Sequence, residues 1–320
     1  MGDGEETRDS PQLLTFHHRH CPERPREIRT TMCTHHQLDI AAITGISEQT
    51  RQCLQRLQEH EAEMVDLSTR PKSRLAAVLV LLYETAGQLR VLLTTRSKSL
   101  RTHPGQTALP GGKVDESDVD LTHTAYREAF EEVGLPLNTP HLHAICTLRP
   151  FISSSKLLVT PIVAFLDDPS LLNDLKPCEG EVEHIFTHPL EAILHPALIA
   201  QEPLAVKGGE DWPYEADFYN PSDVELPWLG NSSYRMHRFR SSASPIKGLT
   251  AEILIMTATI AYDRPPTFEQ YALRQFVRIN DVLRILDQQH PASPMHTGAE
   301  TTGISTPAEV VVQPTNGPPL

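Results

Sequence analysis

The sequence predicts an α/β domain, on three observations. Short, nearly continuous apolar runs such as RLAAVLVLLYE at 74–84 read as strands buried on both faces. An acidic stretch at 120–133 has helical periodicity, with its apolar residues on one side. Leu249, Ile253, Met256 and Ile260 stand at i, i+4, i+7 and i+11, a second amphipathic helix that closes the domain. The chain has 320 residues, 39% hydrophobic and 22% charged, enough apolar material for a sizeable core. No internal repeat is visible.

The elements follow in order. Residues 1–45 are polar and irregular. Their His17, His18, His20, Cys21, Cys33, His35 and His36 fit no tight Cys/His metal module, and this segment reads as a solvated tail. Ser47 and Thr50 open a helical pattern from Glu48 to about Met64, carried by Leu54, Leu57 and Met64 and expected at the edge of the main domain; with its linker it spans 46–71. The main domain is expected over 72–265. Strands are expected at 74–84, 89–95, 143–148, 156–165 and 182–186, with a short helix at 189–194. Residues 204–233 hold Trp212, Pro213, Pro221, Pro227 and Trp228 and read as a long inserted loop. Tyr234–Arg240 has strand character. A helical extension is expected over 266–289 and a Pro/Thr/Gly-rich disordered tail over 290–320.

The charge balance excludes some classes of function. Lys and Arg number 28 against 41 Asp and Glu, a net charge of −13. Non-specific nucleic-acid binding needs a basic face, so no nucleic-acid partner is expected. No run of about 18 apolar residues occurs, so no membrane span is expected. The five cysteines are scattered and too few for a disulfide scaffold. The acidic start Met-Gly-Asp-Gly-Glu-Glu reads as neither signal nor transit peptide. A cytoplasmic location is therefore expected, with the peroxisome second, because Gly-Pro-Pro-Leu at 317–320 is no SKL-type signal. Nothing in the sequence sets the oligomeric state.

The chemistry lies in Leu109–Leu135, LPGGKVDESDVDLTHTAYREAFEEVGL. At about 100° per residue, Glu131 and Glu132 fall at about 300° and about 40° from Glu128, so three carboxylates share an arc of roughly 100°. Ala125, Tyr126, Ala129, Phe130 and Val133 lie between about 60° and 200°, a separate buried stripe. Arg127 is four residues before Glu131, in reach of that carboxylate. Clustered carboxylates repel one another without a cation, and on spacing alone an ordinary solvated acidic face competes with a metal site. The context favours the metal. Pro110-Gly111-Gly112 supplies a backbone that can approach a ligand closely, Asp115, Glu116, Asp118 and Asp120 add carboxylates, and Gly134 ends the helix before Pro136. Oxygen-only ligation selects Mg²⁺ or Mn²⁺, ions that bridge carboxylates to substrate phosphates.

This stretch resembles the Nudix box of the Nudix hydrolases, G-x5-E-x7-R-E-U-x-E-E-x-G-U. Arg127, Glu128, Ala129, Phe130, Glu131, Glu132, Val133, Gly134 and Leu135 match its second half. Two features depart from it: Asp118 stands where the pattern has Glu, and eight residues separate it from Arg127 rather than seven. Upstream, LLTTRS at 92–97, LRTHPGQ at 100–106 and LPGG at 109–112 are similar to the signature of the coenzyme A diphosphatase branch, as are VTPIV at 159–163, the stretch from Glu181 to Leu190, and GLTA at 248–251. The likeness covers about 72–262.

The resemblance implies a Nudix fold, a mixed β-sheet sandwiched between α-helices, and a divalent-metal-dependent pyrophosphohydrolase. The implied substrate is coenzyme A or an acyl or oxidised derivative, cut to 3′,5′-ADP and 4′-phosphopantetheine. Glu128 and Glu132 are the implied metal ligands, with Glu131 either a further ligand or the base that takes the proton of water. Asp118 is a further ligand candidate, Arg127 a catalytic one, and Glu181 or Glu179 a distant helper. Arg96 and Arg101 either hold phosphate oxygens or merely cap a strand; Gly105, Gln106, Gly111 and Gly112 are the implied substrate-binding positions, with Gln106 and His103 each either loop scaffold or substrate contact. The 212–228 segment either covers the pantetheine arm or packs on itself. Two other functions compete: a nucleotide-pool diphosphatase acting on 8-oxo-dGTP or other nucleoside diphosphate derivatives, and a catalytically silent binding protein, which the retained Glu128, Glu131 and Glu132 argue against.

Overall fold

The chain is described here by a computed structural model that covers residues 38–63 and 65–289. The histidine- and cysteine-bearing tail through residue 37, Met64 and the segment 290–320 lie outside the described residues.

In chain order the elements are α1 (Glu48–Glu59), β1 (Leu75–Thr85), β2 (Gln88–Arg96), β3 (Thr107–Ala108), β4 (Gly111–Lys113), α2 (Leu121–Val133), β5 (Leu142–Thr147), β6 (Phe151–Ile152), β7 (Leu158–Leu166), β8 (Val182–Pro189), β9 (Ser222–Leu226), β10 (Ser232–Met236), β11 (Arg238–Phe239), β12 (Ile246–Lys247), α3 (Gly248–Tyr262) and α4 (Ile279–Gln289). The apolar run at 74–84 becomes β1, the spine of a mixed sheet. It pairs antiparallel with β2, Leu82 opposite Val91, and parallel with β7 from Leu75–Leu158 to Tyr83–Leu166. The sheet runs β3-β2-β1-β7-β5, with β4 on β1, β6 on β7 and β8 on β2.

Strand side chains alternate between faces, and the two faces of β1 pack on different helices. Ala77, Leu79, Leu81 and Tyr83 meet Ala125, Ala129 and Val133 of α2. Val80 and Leu82 face the other way, into a cluster with Cys53, Leu54 and Leu57 of α1 and Ala251, Leu254, Ala258 and Ala261 of α3. Each fully buried leucine contributes about 1.5–3 kcal/mol. The result is the expected layering, a mixed sheet between helices. A third cluster joins Leu158 at the start of β7 to Leu229, Ile279, Val282 and Leu283, so the β9–β10 region and α4 cover one end of the sheet.

Several boundaries differ from the sequence reading. The irregular segment stops before residue 45: Ile40–Ala42 is a 3-10 turn, with Ile40 and Ile43 buried in the main core. Helix α1 ends at Glu59 and belongs to that core instead of lying at its edge, because Cys53, Leu54 and Leu57 are all sealed from solvent. Ser47 caps it as expected, accepting from the Thr50 amide at 3.1 Å, and also donates its hydroxyl to Glu84 of β1 at 2.8 Å. The 204–233 segment is not all loop. Ser222–Leu226 and Ser232–Met236 pair as a hairpin around Gly230 and Asn231, both at positive φ, and Trp212 is fully buried with its indole donating to the Ala216 carbonyl at 2.6 Å. The alternation of Val224 with Leu226 and Tyr234 with Met236 outweighs the flanking prolines. The strand read at 234–240 divides at His237, and of the extension at 266–289 only Ile279–Gln289 is helical.

Candidate active site

Helix α2 is fixed at both ends and along one side. Asp120 caps its first turn by accepting from the His123 amide at 2.7 Å, and Gly134 ends it at φ +74° with its amide on the Phe130 carbonyl at 2.9 Å. Ala125, Ala129 and Val133, all fully buried, press it on β1. With rotation set, Glu128 and Glu132 face Gly111 and Gly112 of β4. Glu132 is 8% exposed, and one of its oxygens accepts from the Gly111 amide at 3.3 Å. An ideal Cβ at Gly112 would sit 2.5 Å from the Glu128 carboxyl carbon, so the glycine is the recess in which that carboxylate lies.

Arg127 organises the carboxylates. Its Nε and one terminal nitrogen donate to the two oxygens of Asp118 at 2.9 Å each; that nitrogen also reaches the Lys113 carbonyl at 3.1 Å. The other terminal nitrogen donates to Glu128 at 2.9 Å and to Glu131 at 3.1 Å. The two oxygens of Asp118 also accept from the Asp115 amide and Thr124 hydroxyl at 2.8 Å and meet His123 Nδ1 at 2.9 Å, and the side chain has no exposed surface. Burial opposes the charge on Asp118, but these donors outweigh it and hold the carboxyl well below its usual range. Asp118 is therefore corrected from candidate metal ligand to the brace of Arg127, since a saturated, sealed carboxylate offers no lone pair to an ion. Asp118→Ala is expected to cost about 3 kcal/mol, the penalty for removing the bidentate partner of the buried guanidinium, which keeps only Glu128, Glu131 and the Lys113 carbonyl. Urea denaturation without metal checks this, because a mere ligand would leave metal-free stability unchanged.

The other carboxylates are held differently. Burial pushes Glu132 up to about 8, aided by the charges of Glu128 and Glu181 and opposed by the Gly111 amide and Arg96. Glu128 is also raised, by burial first, with Arg127 opposing. Two sunken carboxylates that disfavour each other's charge, on a donor set made only of oxygen, fit a hard divalent cation. Among the described residues, no three Asp, Glu, His or Cys side chains converge to enclose an ion. Glu128 and Glu132 thus offer one side of a coordination shell, the arrangement suited to Mg²⁺ or Mn²⁺ that keeps water and substrate phosphate as its other ligands.

The remaining expected residues surround this platform unequally. Arg96 ends β2 at a register shift against β8, its Nε buried without a hydrogen-bond partner among the described residues, and its charge is felt at Glu132. Its backbone bonds to Gln106 and Gly105, at 2.9 and 3.0 Å, close the base of the 97–105 loop; Gly105 turns there at φ +65°. Gln106 and His103 line a cavity of about 630 Å³ that begins beside Arg96. Arg101 is exposed in the loop, away from the cavity lining. Glu181 is exposed before β8, its carbonyl tied to the Ser97 amide at 2.8 Å, and of the two distant carboxylates it is the one whose charge reaches Glu132. Tyr214, Leu226 and Trp228 bring the inserted segment to the cavity wall, so that segment borders the site as well as packing on itself. Sequence reasoning passed over Arg149, Arg238, Lys247 and Glu252, which also line the cavity; only Lys247 had a signal, its place before the GLTA motif.

Comparison with known proteins agrees with this geometry. The NUDIX domain family model matches residues 73–206. The chain is 38% identical over 216 residues to Nudix hydrolase 15, mitochondrial, of Arabidopsis thaliana, covering 66% of this chain and 67% of that protein. It is 36% identical over 260 residues to Nudix hydrolase 22, chloroplastic, of the same plant, covering 81% and 78%. It is 32% identical over 194 residues to the peroxisomal coenzyme A diphosphatase NUDT7 of Mus musculus, covering 60% and 72%. Among the described residues no helix is long and apolar enough to cross a membrane. With the Arg127–Glu128–Glu131–Glu132 helix standing over the Gly111-Gly112 strand, the chain belongs to the Nudix hydrolases, a family of pyrophosphohydrolases.

Proposed function

We propose that this enzyme hydrolyses the pyrophosphate of coenzyme A or its acyl or oxidised derivatives, releasing 3′,5′-ADP and the 4′-phosphopantetheine portion. The observation that carries the reading is the cavity beside Arg96 and Gln106. It runs from Arg96, whose charge is felt at Glu132, to an apolar wall that includes Phe151, Leu226, Trp228 and Ile279. A substrate with a charged nucleotide at one end and a long, weakly polar arm at the other matches such a lining. The upstream motif and the relative named a coenzyme A diphosphatase support the same reading.

Glu128 and Glu132 would hold the divalent cation, Mg²⁺ or Mn²⁺. When bound, the ion supplies positive charge to the pyrophosphate oxygens and makes water more acidic. The chain's own residues do the rest. Arg127 holds Glu128 and Glu131 in place by its two hydrogen bonds. Glu131, or Glu181 from across the site, takes a proton from the attacking water. Arg96 is placed to pair with phosphate oxygens. Water oxygen adds to one phosphorus, the bridging P–O bond breaks, and each product leaves as a phosphomonoester.

The test is a panel with purified protein and Mg²⁺ or Mn²⁺, comparing coenzyme A, an acyl-coenzyme A, ADP-ribose, NADH and 8-oxo-dGTP by product identification. Fastest release of 3′,5′-ADP from the coenzyme A compounds is expected. Preference for 8-oxo-dGTP would overturn the substrate assignment in favour of a nucleotide-pool diphosphatase. The three relatives above are named for three organelles, which supports an organellar location over the cytoplasmic one expected from the sequence, without choosing among them.

A further inference from the structure

Strands β11 and β12 form a short antiparallel ladder in which Arg238 stands directly opposite Lys247. Residues so paired project from the same face, and like charges in that position destabilise a sheet. Both side chains line the 630 Å³ cavity. Lys247 shows the conflict: burial first, and then Arg238, push its ammonium below the ordinary value. Among the described residues, neither cation has a carboxylate within ion-pair distance. Arg238 donates to the Ser222 hydroxyl at 2.9 Å and lies 5.6 Å from the Tyr214 ring centre, contacts that aim the guanidinium without neutralising it.

Carboxylates are plentiful in a chain of net charge −13, and neighbouring cations obtain them. Arg235, three residues before Arg238, is held by both oxygens of Asp223 at 2.7 and 2.9 Å. The carboxyl group lining the cavity, Glu252, is half-buried, pushed up to about 7 by burial, and engaged with Tyr234 and Arg149 instead. An opposed Arg–Lys pair without counter-charge, facing a cavity, is a site for an anion. Arg supplies a planar fork and Lys a mobile point charge, which together suit the tetrahedral oxygens of a phosphate. Residues Gly248, Leu249 and Thr250 of the first turn of α3 line the same space and add the partial positive charge of a helix start.

We propose that Arg238 and Lys247 form a clamp for a phosphomonoester of the substrate, separate from the pyrophosphate presented to Glu128 and Glu132. The assignment of that group to the ribose 3′-phosphate rests on the coenzyme A reading above. A substrate lacking the group leaves two facing cations unneutralised, so the clamp selects for it.

The test measures binding of 3′,5′-ADP and 5′-AMP to the full chain by calorimetry at fixed ionic strength, for the wild type, Arg238→Gln, Lys247→Gln and Lys247→Arg. Hydrolysis of coenzyme A and 3′-dephospho-coenzyme A is followed in parallel. Wild type is expected to prefer 3′,5′-ADP by about tenfold or more. Each glutamine variant should bring the ratio near one, Lys247→Arg should retain most of it, and the kcat/KM ratio of the two substrates should fall in step. Melting temperatures of the glutamine variants should hold or rise, since each removes a repulsion. Equal binding of both ligands by wild type would overturn the clamp. So would variants that weaken both ligands equally, which would make the pair a grip on the pyrophosphate end. Absence of hydrolysis of either substrate would sink the coenzyme A reading alone, with the binding ratio still deciding the clamp.

Discussion

Glu132→Gln is expected to lower turnover by roughly 10³-fold or more while leaving the protein folded and, without metal, more stable than the wild type. The amide has the shape of the carboxylate and keeps an oxygen for the Gly111 amide, 3.3 Å away. What it loses is the negative charge, and in this place the charge is costly. Glu132 is almost sealed from solvent, and the charge of Glu128 works against it. Fold and function therefore pull in opposite directions at one residue, as expected where a buried charge is kept for its chemistry. Thermal unfolding with and without Mn²⁺ separates the two effects. Wild type should gain melting temperature with metal, by about 2.7 kcal/mol of stabilisation at a hundredfold excess over the dissociation constant. The variant should start higher and gain little. Turnover within tenfold of wild type would remove Glu132 from the chemistry, and unchanged ligand binding with no turnover in either protein would revive the silent-binder reading.

The sequence made this carboxylate face legible because α2 obeys a simple period. Three glutamates on one arc and five apolar residues on the other could be placed by angle alone, and Gly134 marked where the helix stops. Of those five only Ala125, Ala129 and Val133 are fully buried, whereas Tyr126 and Phe130 are half-buried. The central sheet was legible for a similar reason, since runs buried on both faces leave few alternatives to a strand. Asp118 was not legible. Its residue type and its place between a glycine turn and a helix are those of a metal ligand, and only the three-dimensional path of the 113–120 segment shows both oxygens spent on Arg127, Asp115, Thr124 and His123. The first strand of the 222–236 hairpin was hidden by the prolines and tryptophans around it, which score as loop residues until packing against α4 and β7 is known. The strand character read at 234–240 caught the end of the second. Arg238 and Lys247 lie nine residues apart without a motif between them, and only the ladder that sets them opposite each other gives the pair a meaning.

Adjacent glycines at the site should fail in different ways when each gains a single methyl group. At Gly111 a Cβ would lie 2.4 Å from the Ala77 carbonyl oxygen and 2.6 Å from the Val78 Cα, both backbone atoms of the central strand. Neither can move without disturbing the pairing of β1 with β4 and β7. Gly111→Ala is therefore expected to cost about 3 kcal/mol or more, a fall of roughly 6–12 °C in melting temperature for a domain of this size. At Gly112 the methyl meets the Glu128 carboxylate, 2.5 Å away, at the free end of a flexible side chain. That end can swing aside at little cost in stability, but it then leaves the position from which it faces Glu132. Gly112→Ala should keep a melting temperature within a few degrees of wild type and lose about 10²-fold in turnover, the scale of a misplacement near 1 Å. Raising the Mn²⁺ concentration should recover part of that loss, because a displaced ligand weakens the ion's hold before it abolishes it. If Gly112→Ala instead melts as early as Gly111→Ala while its folded fraction turns over normally, the second glycine serves only the sheet, and Glu128 loses its place as a metal ligand.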